Sequence, residues 1–341
     1  MDHNQRPAFD QGSRHISVIA PARLHMGFVD LSGDLGRRFG GLGLTLAGIH
    51  TRLTVWKSTQ ISGVGPSATR AKVCAKTLLE GLGIQEGVHV EVAEAIPEHV
   101  GLGSGTQMAL AVSSAIANLF RLNIDLQTLA GLMQRGVRSG IGLGAFEHGG
   151  FIVDGGRGDK TIVPPVLCHA RFPDRWHLLL VFDEALQGLS GVPEVSAFKK
   201  LSPMDPPLSA HLCRLLLMQV LPALAEEDFE RFSAGITTIQ DIVGDYFARF
   251  QGGRYTSPRV AEVLDWLKGK ERVAGLGQSS WGPTGFAVID DEARAQRLLE
   301  FARARWGAPL RFMVCQAQNT GAEIWTEEGR SQQRNLTAKS A

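Results

Sequence analysis

The sequence has little of what marks several large protein classes. Four cysteines in 341 residues, Cys74, Cys168, Cys213 and Cys315, stand far apart with no C-x-x-C pair. That excludes a disulfide-stapled scaffold or a zinc ribbon and fits a reduced, cytoplasmic protein. Net charge is nearly absent: 35 Lys and Arg against 34 Asp and Glu leave +1. No global field exists to hold nucleic acid or an anionic membrane, so any anion must be held locally. Long apolar runs are missing too. Leu178 to Phe182 and the stretch Leu215 to Ala225, which contains Gln219 and Pro222, fall short of the ~18 residues of a membrane span. The polar start MDHNQRPAFDQGSRH offers no signal-peptide core. Also absent are H-E-x-x-H, G-x-S-x-G, a Lys after a glycine loop as in Walker A, and the G-x-G-x-x-G spacing, which removes zincin, α/β-hydrolase, P-loop and dinucleotide-binding readings.

What is there is a globular composition with a surplus of glycine. Hydrophobic residues make up 44% and charged ones 20%, enough for a sizeable core, and the length predicts two domains. The 40 glycines are about 12% of the chain against a typical ~7%. They mark places where backbone must approach something closely.

Periodicity predicts strands at Ile16 to Ala20, Gly43 to Leu46, Thr51 to Trp56 and Val88 to Ala93, and helices at Ala68 to Leu79, Thr106 to Phe120 and Leu126 to Met133. After a strand at Phe151 to Val153, Arg157 to Pro165 reads as a connector. The second half opens with a strand at Trp176 to Phe182 and passes a loop from Gly188 to Pro206. Helices follow at Ser209 to Leu224, Asp228 to Phe250 and Pro258 to Lys268. Strands at Val273 to Leu276, Gly285 to Ile289 and Leu310 to Cys315, with a helix at Glu292 to Trp306, complete a ferredoxin-like order. The expected division is a tail at 1–13, domains at 14–168 and 169–328, and a tail at 329–341, both tails polar and disordered.

Several glycine-rich segments could carry chemistry. Pro97 to Gln107 (PEHVGLGSGTQ) follows a strand and opens a helix. Free N–H groups there, with glycines admitting close approach, suit phosphate. The same residues could be only a capped helix, since Ser104 and Gln107 have capping-box spacing. Arg135 to Asp154 (RGVRSGIGLGAFEHGGFIVD) combines glycines, arginines and carboxylates in the mixture that phosphate and Mg²⁺ require, or is a charged loop. Pro21 to Asp30 and Gly36 to Gly43 place Arg23, His25, Arg37 and Arg38 near the first strand. Gly275 to Gly285 is a glycine-rich turn between two strands, or simply a long hairpin loop.

In this order the segments resemble the three motifs of the GHMP kinase superfamily: Pro21-Ala22-Arg23, Pro97 to Gln107, and Gly275 to Gly285. The resemblance implies an α+β fold, with an N-terminal domain like domain 2 of ribosomal protein S5, a C-terminal ferredoxin-like domain and an active site between them. Mevalonate kinase-like members carry S-G-[IV]-D, whose aspartate is the usual candidate base for the attacking hydroxyl. Here Ser139-Gly140-Ile141-Gly142 has glycine at that place, and Gly105-Thr106-Gln107 replaces the usual small S-A-A run.

These departures, with Phe146 to Gly156 (FEHGGFIVDGG), resemble the β-ribofuranosylaminobenzene 5'-phosphate synthases of methanopterin biosynthesis. That likeness implies condensation of phosphoribosyl pyrophosphate with 4-aminobenzoate, loss of CO2 and pyrophosphate, Mg²⁺, and a cytoplasmic homodimer. It implies phosphate binding by Gly101, Leu102, Gly103, Ser104, Gly105, Thr106 and Gln107, with Arg37, Arg135, Arg138, Ser139 and Gly140 around them. Arg23 is a further candidate clamp for the phosphate, Arg23 or His25 a candidate for the benzoate carboxylate, and Glu147 and Asp154 candidates for the metal, with Glu147 also catalytic. The alternatives are an ATP-dependent kinase with a relocated base, Glu147 or Asp154, and a phosphometabolite-binding protein without chemistry.

Overall fold

The computed structural model describes residues 14–188 and 201–326. The expected tails at 1–13 and 329–341, and most of the loop expected between Gly188 and Pro206, lie outside the described residues.

Two long antiparallel strands, β1 (His15–Asp30) and β2 (Phe39–Ser58), form the spine of the first sheet. They run through residues expected to break them, because bulges absorb the irregular positions. Register shifts fall between Pro21 and Arg23 and between His25 and Gly27, where Pro21 lacks a ladder N–H and Gly27 takes φ +134°. The bulges bracket Arg23 to His25 and fix their aim. Around the spine lie β3 (Ser62–Val64), β4 (Gly87–Glu94), β5 (Phe151–Asp154) and β6 (Val166–Ala170).

The helices α1 (Ala68–Leu82) and α2 (Ser104–Leu119) cover this sheet. Small residues and few charges let α2 bury almost its whole circumference, from Gln107 to Ala117. Beside them are α3 (Leu126–Leu132) and α4 (Ile141–Glu147). The latter replaces what reads as a glycine-rich loop. Its glycines serve close packing: a Cβ on Gly144 would stand 2.6 Å from Ile152 Cγ2.

The second sheet has the order β10-β7-β9-β8, all antiparallel, from β7 (His177–Asp183), β8 (Leu276–Gln278), β9 (Gly285–Ile289) and β10 (Leu310–Gln316). That is the expected ferredoxin-like arrangement. A helical run comes first, α5 (Pro206–Leu215), a π-turn (Leu216–Val220) and α6 (Leu221–Ala225), followed by α7 (Phe229–Gln251), α8 (Pro258–Gly269) and α9 (Glu292–Arg305). The helix expected at Ser209 to Leu224 is present as one 20-residue run, Pro206–Ala225; with a mean hydropathy of 1.5 it is, unlike the expected apolar stretch from Leu215, long and apolar enough by composition to cross a membrane. Pro222 lies inside this run, directly after the π-turn, where the regular ladder is already broken and its missing N–H is accommodated. Leu212, Leu216, Val220 and Leu224 on this run pack into the central core.

That core joins the halves: Leu24, Met26 and Phe28 of β1 meet Phe232, Ile236 and Ile239 of α7 and Phe286 of β9. The division at 168 and 169 also differs in detail, since β6 runs to Ala170 and β11 (Glu323–Trp325) returns to pair with β1 of the first sheet.

Candidate functional site

The glycine loop before α2 is left-handed at Gly101 (φ +89°) and Gly103 (φ +81°). Gly103 caps α2, with no side-chain cap, and Gln107 instead donates to the Gly142 carbonyl at 2.8 Å. The capping box is therefore not formed. Among the described residues the first-turn N–H groups of Ser104 and Gly105 have no acceptor, and they carry the positive end of a long helix.

The late glycine turn closes onto this loop. Ser279 Oγ donates to the Gly101 carbonyl at 2.8 Å and Thr284 Oγ1 to the Val100 carbonyl at 2.6 Å. A Cβ on Gly282 would lie 2.6 Å from Gly101 Cα, which explains a glycine there. Arg23 is drawn in by the same loop: its N–H donates to the Leu102 carbonyl at 3.1 Å and its Nη1 to the Gly101 carbonyl at 2.8 Å.

Together these segments enclose a cleft of about 360 Å³ lined by Arg23, Arg70, Arg135, the Gly103 to Thr106 turn and Ser280 to Gly282. Three guanidinium groups and a helix N-terminus face one space, and among the described residues no carboxylate lines it. Arg70 is steadied by Glu98 at 2.9 Å. The charge and volume of the cleft would suit a diphosphate or a phosphorylated sugar.

Several candidates from the sequence lie elsewhere. Leu102 is buried and serves the loop through its carbonyl. Arg37 donates from Nε and Nη2 to the carbonyls of Gly155 and Gly156 at 2.8 and 2.7 Å, so it braces a turn. Arg38 braces the Ser32 carbonyl at 3.2 Å. Arg138 is half-buried and does not line the cleft.

Ser139 and Gly140 donate to Asp154 at 2.9 and 2.8 Å, and the N–H of Gly156 adds a third bond at 2.8 Å. Asp154 is 1% exposed, and burial pushes its carboxyl above the usual carboxylate range. It clamps the start of α4 to the end of β5. Glu147 is half-exposed and sits 3.6 Å from His148. Neither carboxylate faces the anion cleft, and among the described residues no three His, Cys, Asp or Glu side chains gather as a metal set. The expected metal pair does not fit a cation on the cleft's phosphate.

Arg70 is the contributor that sequence reasoning misses. It lies on α1 among surface-spaced charges, and only the fold turns it toward the loop. We expect Arg70→Ala and Arg135→Ala each to weaken pyrophosphate binding ~10-fold, the scale of one charge-assisted bond. Arg37→Ala and Arg138→Ala should leave it within about twofold, and isothermal titration calorimetry compares the four.

The kinase aspartate is more than missing. A Cβ on Gly142 would stand 2.8 Å from Thr106 Cγ2 and 3.8 Å from Gln107 Nε2. The two departures seen in sequence, at 105–107 and at 142, thus fill one space: the side chains of α2 occupy the room that an acidic side chain on α4 would need.

A second, narrower opening adjoins the anion cleft, with Ser280 and Trp281 lining both. His25, Phe28, Phe247 and Gln240 form its walls. His25 is 3% exposed, and its Nε2 has no hydrogen-bond partner among the described residues. Burial, aided by the charge of Arg23, lowers its pKa from 6.5 to about 3. A neutral imidazole supplies no charge for a carboxylate, so the expected benzoate-carboxylate role falls away from His25.

The low value also sets a pH dependence. The unfolded chain takes up this proton near pH 6.5 and the folded one only near 3. The contribution of neutral His25 to stability is therefore whole above pH 6.5 and lost as pH falls toward 3. The melting temperature should fall more steeply between pH 6.5 and 4 in the wild type than in His25→Asn.

A glycine loop on an α-helix N-terminus, closed by a glycine turn from a ferredoxin-like layer, defines a protein of the GHMP kinase type. The family model for the GHMP kinases N terminal domain matches residues 69–150, and that for the GHMP kinases C terminal matches residues 220–308. Among solved structures, the chain superposes with a TM-score of 0.64 on mevalonate diphosphate decarboxylase from Staphylococcus aureus, at 14% identity, covering 92% of this chain and 98% of that one. For homoserine kinase from Cytophaga hutchinsonii the TM-score is 0.61 at 16% identity, covering 94% and 100%.

Sequence relatives that match over nearly their whole length are synthases. The β-ribofuranosylphenol 5'-phosphate synthase of Archaeoglobus fulgidus is 33% identical over 325 residues, 91% of this chain and 99% of the relative. The protein of the same name from Methanocaldococcus jannaschii is 29% identical, with 90% and 99% covered. The chain belongs to this synthase family of the GHMP superfamily, and it is an enzyme.

Proposed function

We propose that the protein joins a phosphoribosyl group to an aromatic ring through carbon, with loss of CO2 and pyrophosphate. Phosphoribosyl pyrophosphate is the donor, and a benzoate with an electron-donating para substituent is the acceptor. The sequence resemblance favours 4-aminobenzoate. The relatives are named for a phenol product, which favours 4-hydroxybenzoate. Either para group supplies the lone pair the reaction needs.

The observation that carries this reading is the occupied space at Gly142: a hydroxyl-activating carboxylate has no room there, while the cleft beside it is lined by three arginines and a helix N-terminus. The proposed chemistry needs the cleft and not the carboxylate. The C1–O bond of the donor breaks and its electron pair leaves with pyrophosphate. Arg23, Arg70, Arg135 and the α2 N-terminus stabilise that charge. The ring carbon bearing the carboxylate gives its π pair to C1 of the ribosyl group. The bond to the carboxylate then breaks, its electrons restore the aromatic ring and CO2 departs. No hydroxyl proton has to be removed.

With no carboxylate among the described residues that line the cleft, Mg²⁺ is proposed only as the counter-ion that accompanies the donor's diphosphate. The homodimer and the cytoplasmic location remain parts of this proposal; all four cysteines are free thiols, in keeping with a reducing compartment. Light scattering on purified protein tests the dimer. Mass spectrometry after incubation with the donor and each acid tests the reaction: a ribosyl-arene 5'-phosphate lacking the carboxyl carbon is expected, and an ester or N-riboside that retains it would overturn the reading.

A further inference from the structure

We infer that His99 is a fourth, proton-dependent cation of the anion cleft, and that Glu98 behind it is a positioning residue that holds Arg70 and His99 to the anion. The inference rests on the function proposed above, in which the cleft takes up the charge of a departing diphosphate. Its first support is placement. His99 lines the cleft with Arg23, Arg70 and Arg135, and no other histidine does so among the described residues. Glu98 does not line it.

The second support is the way one carboxylate is shared. Glu98 Oε1 accepts from Ser67 Oγ at 2.7 Å, while its Oε2 stands 2.9 Å from Arg70 Nη2 and 3.7 Å from His99 Nε2. One anion outside the cleft thus reaches a guanidinium from α1 and an imidazole from the glycine loop, both of which line the same space. Groups fixed in advance lose less freedom when a ligand arrives, so such a carboxylate lowers the ordering cost of binding.

The third support is the backbone. Eight non-glycine residues are left-handed among those described, and three of them meet here: Ser67 at φ +58°, His99 at +60° and Ser280, on the turn after β8, at +55°. A non-glycine residue is uncommon there and costs conformational energy. Two of the three line the cleft and the third holds Glu98. The loop is also pinned beneath the imidazole. The carbonyls of His99, Val100 and Gly101 accept in turn from the Gly188 N–H at 2.8 Å, Thr284 Oγ1 at 2.6 Å and Ser279 Oγ at 2.8 Å.

The charged groups around His99, among the described residues, are Glu98 beside it, Arg70 from α1, Arg23 from β1 and Arg135 from the segment after α3. Gly188 and the turn from Ser280 to Gly282 bring no charge. Guanidinium groups keep their charge at ordinary pH, so between about pH 8 and about pH 6 the histidine is the lining group that changes charge. Protonated, it adds a charge-assisted bond to those of the three arginines.

The test is calorimetric binding of inorganic pyrophosphate at about pH 8 and about pH 6 to wild type, His99→Asn, Glu98→Gln, Arg70→Ala and the double variant Arg70→Ala with Glu98→Gln. Asparagine accepts the left-handed backbone, so His99→Asn removes the titrating ring and little else. The ratio of wild-type to His99→Asn affinity should grow ~10-fold from the higher pH to the lower. The ligand's own protonation is common to all the proteins and cancels in that ratio. If Glu98 were only a negative charge near the cleft, Glu98→Gln would tighten binding. As a positioning residue it should instead weaken binding ~10-fold near pH 8, and the double variant should lose no more there than Arg70→Ala alone.

A ratio that is the same at both pH values overturns the role of His99. Binding by Glu98→Gln at least as tight as wild type, or a double variant clearly weaker than Arg70→Ala, overturns the role of Glu98. Melting curves at both pH values accompany the titrations, and if His99→Asn does not fold, His99→Gln takes its place with the same expected change of ratio. Pyrophosphate binding needs no turnover. A protein that binds it as expected and yet forms no ribosyl-arene phosphate therefore overturns the proposed function and upholds the roles of His99 and Glu98.

Discussion

Gly103→Val is expected to abolish binding of phosphoribosyl pyrophosphate, lowering affinity at least ~100-fold, while the far-ultraviolet spectrum stays native. Gly103 sits at φ +81° as the cap of α2, and a β-branched residue there costs about 1–3 kcal/mol of backbone strain. The larger effect is local. A Cβ at this position would stand 3.1 Å from both Nε and Cζ of Arg23. The two further methyl carbons of valine would push that guanidinium from the Gly101 carbonyl and fill the mouth of the helix N-terminus. One substitution thus removes an arginine, closes the approach to the N–H groups and re-aims the loop. Calorimetry with the donor or with pyrophosphate reads it, and wild-type affinity would remove the loop from the site.

Gly142→Asp is expected to cost about 3–5 kcal/mol of folding stability and to create no kinase. The position is fully buried on α4, and its Cβ would collide with Thr106 Cγ2 at 2.8 Å. Its carboxylate would then stand buried against Thr106 and the Gln107 amide, which already donates to the Gly142 carbonyl. Burial of an unpaired charge and overpacking are among the few single changes of this size. Chemical denaturation measures the loss, and ADP formation on screened alcohols measures the gain. A stable Gly142→Asp protein that phosphorylates an alcohol would show that only the carboxylate separated this chain from the kinases. Thr106→Ala together with Gly142→Asp should recover part of the lost stability, because it empties the contested space.

The glycine loop and its partners were legible in sequence for a physical reason. Gly101, Gly103 and Gly282 occupy positions where a Cβ meets backbone or a guanidinium, so no other residue type fits them and their spacing survives as a pattern. Arg23 was legible because it adjoins Pro21 and the bulge. Arg70 was not, since an arginine on a helix surface has the same local sequence whether it faces solvent or a phosphate.

Asp154 and Glu147 have the right chemistry for a metal, and only the pairing of β5 with β2 and the packing of α4 reveal that one clamps a turn and the other faces outward. The narrow opening beside the cleft was equally hidden. Its walls come from β1 and, about two hundred residues later in the chain, from α7 and the loop after β8. Phe28 and Phe247 read singly as ordinary core residues. The reach of β1 and β2 was underestimated because Pro21 and Gly48 look like strand ends, whereas the sheet takes them in as a bulge and a left-handed residue.

In the proposed function, carbon–carbon bond formation with decarboxylation takes the place of phosphoryl transfer on this fold. Release of labelled CO2 from carboxyl-labelled 4-hydroxybenzoate and 4-aminobenzoate tests it most directly, with purified protein, Mg²⁺ and phosphoribosyl pyrophosphate, and with ATP in place of the donor as control. Release that requires the donor and is lost in Gly103→Val is the predicted result. No release with either acid, together with consumption of ATP, would contradict the account.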